Sequence, residues 1–129
     1  MYPVIDNPEQ YKAAIYVRLS KEDEGKVDDV SESIKNQTAL LLNYVKENNL
    51  SVYEIYTDDG YSGTTTDRPA FQRMLQDIED KNVNMVITKD FSRLGRDRIA
   101  FGYYTEKYFP EHDVRYIAVA DNYDNINGC

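Results

Sequence analysis

Cysteine, histidine and long apolar runs are scarce in this chain of 129 residues. The single cysteine, Cys129, excludes an internal disulfide, so we expect a reducing cytoplasm. No Cys, His and carboxylate set has metal-ligand spacing, and we predict neither a metal ion nor another cofactor. No stretch approaches the roughly 20 apolar residues of a membrane span, and residues 1–10 lack the basic start and apolar core of a signal peptide.

Positive charge is also in deficit. The chain has 15 Lys and Arg against 23 Asp and Glu, which gives a formal net charge of −8. Taken alone, this balance argues against nucleic acid as a partner, because binding there depends on neutralising phosphates. However, acidic residues are concentrated in KEDEGKVDD (21–29) and DNYDN (121–125), while most arginines lie elsewhere. The net charge therefore does not describe the local charge.

Hydrophobic patterns predict strands and helices in alternation. Strands are predicted at 13–18, 51–57, 84–89 and 114–119, with helices between them. The order β-α-β-α-β-α-β predicts an open three-layer α/β/α fold with a mainly parallel sheet of four or five strands. We expect residues 1–11 to be an N-terminal tail and 12–129 to form one domain. Four strands without a closing helix indicate a piece of a longer protein.

Capping residues set the expected helix ends. Ser31 or Ser33 can cap the first helix, and Asn48-Asn49 suits its exit. Asp67 is predicted to cap the second helix, with Pro69 in its first turn. The third helix is predicted over about 97–109, with Asp97 as its cap and Pro110 as its end.

Polar residues follow three of the predicted strands, at the sheet edge where parallel α/β proteins bind ligands. Bland interpretations remain for each: a surface pair, a local salt bridge at Asp58 or Asp67, or solvated arginines. Taken together, four arginines at one edge suit a phosphate, because a guanidinium group donates two parallel hydrogen bonds to phosphate oxygens. The candidate residues are Arg18, Ser20, Asp58, Arg68, Ser92, Arg93 and Arg96, with Gln37 of the first helix placed to lean over the same edge.

Five motifs give the chain a resemblance to a known family. They are Y-x-R-x-S at 16–20, the S-I-K-N-Q segment ending at Gln37, Y-T-D-D-G-Y-S-G at 56–63, D-R-P-A-F at 67–71 and S-R-L-G-R-D at 92–97. In this order they resemble the catalytic domain of serine recombinases, the resolvase/invertase superfamily, over about residues 12–121. The long acidic loop after Ser20, the D-R-P-A-F segment and the string K-D-F-S-R-L-G-R-D (89–97) are more similar to the large serine recombinases, which include integrases and transposases.

The resemblance implies a role for each candidate residue. Ser20 would be the nucleophile that forms a 5′-phosphoseryl bond with DNA. The four arginines, Arg18, Arg68, Arg93 and Arg96, would surround the scissile phosphate without metal or ATP. Gln37 and Asp58 match polar active-site positions. Small resolvases carry aspartate where this chain has Ser92, so a carboxylate acid at this position is excluded.

The resemblance also implies double-stranded DNA as the partner and a homodimer or homotetramer in the full-length protein. No base-reading motif is present, so we expect the DNA-binding domains to follow residue 129 and the chain alone to be inactive.

Two other functions stay open from the sequence. One is a flavodoxin-like phosphate or nucleotide binder that uses SGTTT (62–66), although such loops usually follow the first strand rather than the second. The other is an inactive recombinase-like domain that only oligomerises.

Overall fold

The computed structural model describes residues 11–18, 30–58, 69–94 and 98–125, without the side chains of residues 30–33, 92, 98 and 100. The elements, in chain order, are β1 (Lys12–Arg18), α1 (Val30–Glu47), β2 (Ser51–Asp58), α2 (Pro69–Glu79), β3 (Met85–Thr88), a 3₁₀ turn (Phe91–Arg93), α3 (Arg98–Gly102), a π-helical segment (Tyr103–Tyr108), α4 (Phe109–Glu111), β4 (Arg115–Ala118) and β5 (Tyr123–Asp124). Within these ranges, no helix is long and apolar enough to cross a membrane.

The strands form one sheet in the order β2-β1-β3-β4-β5. The first four strands are parallel, and β5 runs antiparallel to β4. The predicted mainly parallel α/β sheet is confirmed. Because β1 and β3 are central, their side chains are covered on both faces, which explains why their sequences are almost continuously apolar.

Side chains of β1 alternate between two apolar layers. Ala13, Ile15 and Val17 pack in a cluster with Leu41 of α1. Ala14 and Tyr16 point to the opposite face and pack in a cluster with Phe71 of α2. This alternation follows from the period of two in a strand. It places one helix on one side of the sheet and the remaining helices on the other.

The ends of α1 agree with the sequence at one side only. Asn48 and Asn49 end the helix as predicted, and Asn49 adopts a left-handed φ of 56° that asparagine tolerates. The predicted start is wrong, because α1 already begins at Val30, so Ser31 and Ser33 lie inside the helix rather than at its cap. Two aspartates precede Val30 in the sequence, and their charge favours an earlier start through the helix dipole.

Pro110 does not end the third helix, contrary to the prediction. The backbone N–H of Phe109 bonds to the carbonyl of Tyr104, five residues back, which is π-helical geometry. Pro110 then occupies the beginning of α4, where its missing N–H costs little, and the helical path continues to Glu111. Asp67 and Asp97, the predicted caps of the second and third helices, lie outside the described residues.

A short hairpin at the end of the described chain adds the fifth strand. Arg115 of β4 donates from Nε and Nη2 to the two carboxylate oxygens of Asp124, at 3.0 and 2.5 Å. Asn125 accepts from the Tyr116 N–H at 3.1 Å and donates to the Val114 carbonyl at 3.3 Å, so its side chain extends the ladder beyond β5. The sequence did not locate this strand, which is only two residues long.

Candidate active site

Arg18 ends β1, and Gln37 of α1 holds its backbone. The Gln37 side-chain amide donates from Nε2 to the Arg18 carbonyl at 3.1 Å and accepts from the Arg18 N–H at 3.4 Å. Gln37 is only 3% exposed. Its amide thus supplies the donor and the acceptor that a neighbouring strand would otherwise provide at this position. Gln37 therefore lies at this sheet edge, against the end of β1.

Asp58 ends β2 directly beside Arg18 in the strand register. Its carboxylate accepts from the backbone N–H groups of Ala70 and Phe71, at 2.9 and 3.1 Å, and from the hydroxyl of Tyr16 at 2.8 Å. Asp58 is 7% exposed, and these donors compensate for the loss of water around its carboxylate. The carboxylate therefore joins β1, β2 and the beginning of α2.

Arg93 ends the 3₁₀ turn that follows β3. This residue is 1% exposed, and its Nε lies 3.4 Å from Oδ1 of Asp90. The turn contacts β1, so Arg93 lies at the same edge of the sheet as Arg18. Asp90 therefore brings a carboxylate to this arginine, although position 92 carries serine.

Four contacts fix the 3₁₀ turn. The N–H of Phe91 donates to Oδ2 of Asp121, in the turn between β4 and β5, at 2.8 Å. The Phe91 ring packs against Phe101 of α3 and Tyr123 of β5, with centroids 4.5 and 5.2 Å apart. The hydroxyl of Thr88 donates to the Asp90 carbonyl at 2.9 Å. The last hairpin thus holds the segment that carries Arg93.

The described candidate residues are brought together at the carboxyl edge of the sheet. They are Arg18, Gln37, Asp58 and Arg93, from four separate elements. Ser20, Arg68 and Arg96 lie outside the described residues, as does the side chain of Ser92. Burial of two guanidinium groups at one edge makes the site suited to an anion, because charge interactions strengthen where water is excluded.

Three residues that support the candidate site were not predicted from the sequence. Tyr16 belongs to the Y-x-R-x-S motif, but no local pattern shows that its hydroxyl meets Asp58. Asp90 precedes Arg93 by three residues, a spacing that gives a signal for an ion pair in a helical turn. Asp121 is 30 residues from its partner Phe91, and such a contact leaves no local signal.

Two tyrosine hydroxyls near this edge stay protonated at neutral pH. Burial, followed by the hydrogen bond to Asp77, raises the pKa of Tyr56. Burial also raises the pKa of Tyr116, against the opposing effect of its hydrogen bond with Thr88. Among the described side chains, no group of three or more His, Cys, Asp or Glu residues could hold a metal ion.

A family model and several solved structures are similar to this chain. A family model described as resolvase, N-terminal domain, matches residues 13–127. The N-terminal catalytic domain of TP901-1 integrase is similar in structure, with a TM-score of 0.76 and 30% identity over 91% of this chain and 83% of that chain. No curated protein sequence matches the chain at a significant level.

Two further solved structures are similar. A resolvase family site-specific recombinase from Streptococcus pneumoniae has a TM-score of 0.71 and 26% identity, over 91% of this chain and 77% of that chain. The C-terminal catalytic domain of ISC1926 TnpA, an IS607-like serine recombinase, has a TM-score of 0.69 and 28% identity, over 84% and 69%.

Fold, site and comparisons together define a site-specific recombinase catalytic domain. The chain belongs to the resolvase family. Membership of this family implies, in general, that the protein binds DNA and that several subunits assemble. The flavodoxin-like and purely structural alternatives are not favoured.

Proposed function

We propose that this domain, as part of a full-length protein, cleaves and rejoins DNA through the hydroxyl of Ser20. The observation that carries the proposal is the meeting of Arg18 and Arg93, two buried arginines, at the carboxyl edge of the sheet. Ser20 follows Arg18 by two residues in the sequence. A nucleophile placed there would meet a phosphate that these arginines bind.

The proposed reaction is a phosphoryl transfer to serine. The oxygen of Ser20 loses its proton and attacks phosphorus, and the bond from phosphorus to the 3′ oxygen of the DNA breaks. The products are a 5′-phosphoseryl bond and a 3′-hydroxyl that takes up a proton. One ester bond replaces another, so rejoining is the reverse reaction and needs no ATP.

Arginines supply the positive charge in this proposal. Arg18 and Arg93, with Arg68 and Arg96 from outside the described ranges, would stabilise the charge that develops on the phosphoryl oxygens. Guanidinium groups suit this role because they keep their charge and donate two parallel hydrogen bonds. We therefore propose a metal-independent mechanism, with Gln37, Asp58 and Ser92 in supporting positions.

Strand exchange requires more than one active site. We propose that homodimers bind double-stranded recombination sites in the cytoplasm and pair as a homotetramer, which cuts all four strands before rejoining them. DNA-reading domains after residue 129 would supply site recognition, with residues 12–129 as the catalytic domain. On this proposal the 129-residue chain alone does not recombine DNA.

The direct test is to trap the covalent intermediate. The intact gene product would be incubated with a nicked plasmid that carries the sequences flanking the gene, and the adduct would be mapped by mass spectrometry. We expect the adduct on Ser20, in the presence of excess EDTA and without nucleotide. Ser20→Ala should abolish it, whereas Ser51→Ala, at the exposed start of β2, should leave it unchanged.

Two results would contradict the proposal. An adduct on a tyrosine would assign the nucleophile to another group. Loss of cleavage in EDTA with recovery in Mg²⁺ would show that metal, rather than arginine alone, supplies the positive charge.

A further inference from the structure

The beginning of α2 is anchored by a carboxylate that is distant in sequence. The first N–H groups of a helix have no partner within the helix, and a side chain just before it usually caps them. Here Asp58 of β2 accepts from the N–H groups of Ala70 and Phe71, 12 and 13 residues further along the chain. This contact fixes the first turn of α2 to the end of the sheet.

Tyr16 completes this anchor from the neighbouring strand. Its hydroxyl donates to Oδ2 of Asp58, the oxygen that also accepts from Phe71. Tyr16 is buried and packs its ring edge against the Phe71 ring, with centroids 5.2 Å apart. The hydroxyl therefore holds the carboxylate in the orientation that α2 requires, and it ties this helix to β1 as well as to β2.

Both ends of this contact adjoin proposed catalytic residues. Tyr16 precedes Arg18 by two residues on β1, and Arg68 immediately precedes Pro69, the first residue of α2. We propose that Tyr16 and Asp58 are positioning residues, which set the first turn of α2, the turn that Arg68 precedes in the sequence, relative to Arg18. This inference rests on the proposed cleavage reaction and assigns Asp58 to geometry rather than to proton transfer.

Hydrogen-bond geometry favours positioning over proton transfer. Each oxygen of Asp58 accepts from a backbone N–H, and Oδ2 accepts a second bond from Tyr16. A proton shuttle at this position would have to break contacts that hold a helix in place. Asp58 therefore acts on the reaction through the residues that it orients.

Tyr16→Phe and Tyr56→Phe form a matched pair of tests. Each removes one buried hydroxyl that donates to an aspartate, because Tyr56 donates to Oδ2 of Asp77 in the middle of α2 at 2.5 Å. Both variants should lower the melting temperature by similar amounts. In single-turnover cleavage by the intact protein, Tyr16→Phe should lower the rate about tenfold, the size of one hydrogen bond to a charged group. Tyr56→Phe should stay within about twofold of wild type.

Asp58→Asn tests the role of the carboxylate separately. We expect a loss of cleavage of about 10² or more, with a pH–rate profile of unchanged shape, and faster hydrogen exchange at the amides of Ala70 and Phe71. A profile that loses one limb would make Asp58 a proton-transfer group and overturn the proposal. Full activity of Tyr16→Phe would overturn it too, even if Asp58→Asn did not fold. If the wild-type protein forms no adduct on Ser20, the proposed function fails instead.

Discussion

Replacing Gln37 with leucine would measure how much the end of β1 depends on a side chain of α1. Leucine has a similar volume and a high helix propensity, so the change removes the amide and keeps the packing. The variant would leave both backbone groups of Arg18 without the bonds at 3.1 and 3.4 Å that Gln37 now makes.

The expected loss follows from these two bonds. A buried polar group left without a partner costs about 1–3 kcal/mol. The Arg18 carbonyl loses a bond of ordinary length. The Arg18 N–H loses a long bond, so its cost lies toward the lower end of that range. We therefore expect the free energy of unfolding to fall by about 2–4 kcal/mol, out of the roughly 5–15 kcal/mol that is usual for a domain.

Urea denaturation of the 129-residue chain is the assay, with Gln76→Leu as the matched control. Gln76 is exposed on α2 and donates only to Asp80, at 3.2 Å, so its replacement should change stability by less than about 0.5 kcal/mol. A change of that small size for Gln37→Leu would refute the reasoning, because it would show that water or another group satisfies Arg18 equally well.

Four further predictions concern charge and stability. Arg93→Lys should lower the cleavage rate by about 10², because lysine cannot donate the two parallel hydrogen bonds of a guanidinium group. Single-turnover rates in excess EDTA would measure this loss. Ser92→Asp should give no gain in rate in the same assay, because a new negative charge next to Arg93 weakens phosphate binding. Asp124→Asn should lower the free energy of unfolding by about 1–3 kcal/mol, since it leaves a half-buried arginine without its carboxylate, and thermal unfolding would measure this. Burial raises the pKa of Tyr56 above 10.0 in the folded protein, so this tyrosine loses its proton at lower pH in the unfolded state. The free energy of unfolding, measured in urea, should therefore fall as the pH rises above about 10, and it should fall less in Tyr56→Phe.

Much of the fold is written in short-range patterns. The apolar strands β1 and β3 and the stripe Phe71, Met74 and Ile78 of α2 were predictable, because alternation and helical spacing directly reflect which faces are covered. The exit of α1 was predictable from Asn48-Asn49, since few residues tolerate a left-handed φ. These features depend on neighbours within a few positions.

Features that depend on distant partners were not predictable. β5 is two residues long, and its position is set by the ion pair of Asp124 with Arg115 rather than by its own propensity. Pro110 indicated a helix end, but the π-helical segment that precedes it in the chain allows the helical path to continue beyond this proline. Of the candidate site, the sequence predicted that the four described residues, Arg18, Gln37, Asp58 and Arg93, lie at one edge; it did not show that Asp58 holds the first turn of α2.

The hairpin of β4 and β5 has a practical consequence for protein engineering. Asp121 and Tyr123 hold the turn that carries Arg93, while Asn125 fastens the chain to β4. A fusion protein whose catalytic domain ended before Asn125 would therefore loosen Arg93, the arginine that we propose binds the phosphate, as well as the terminus. A foreign DNA-binding module should be joined after Asn125. A linker there starts from a fixed position, so the length of the linker sets how far the attached module can reach.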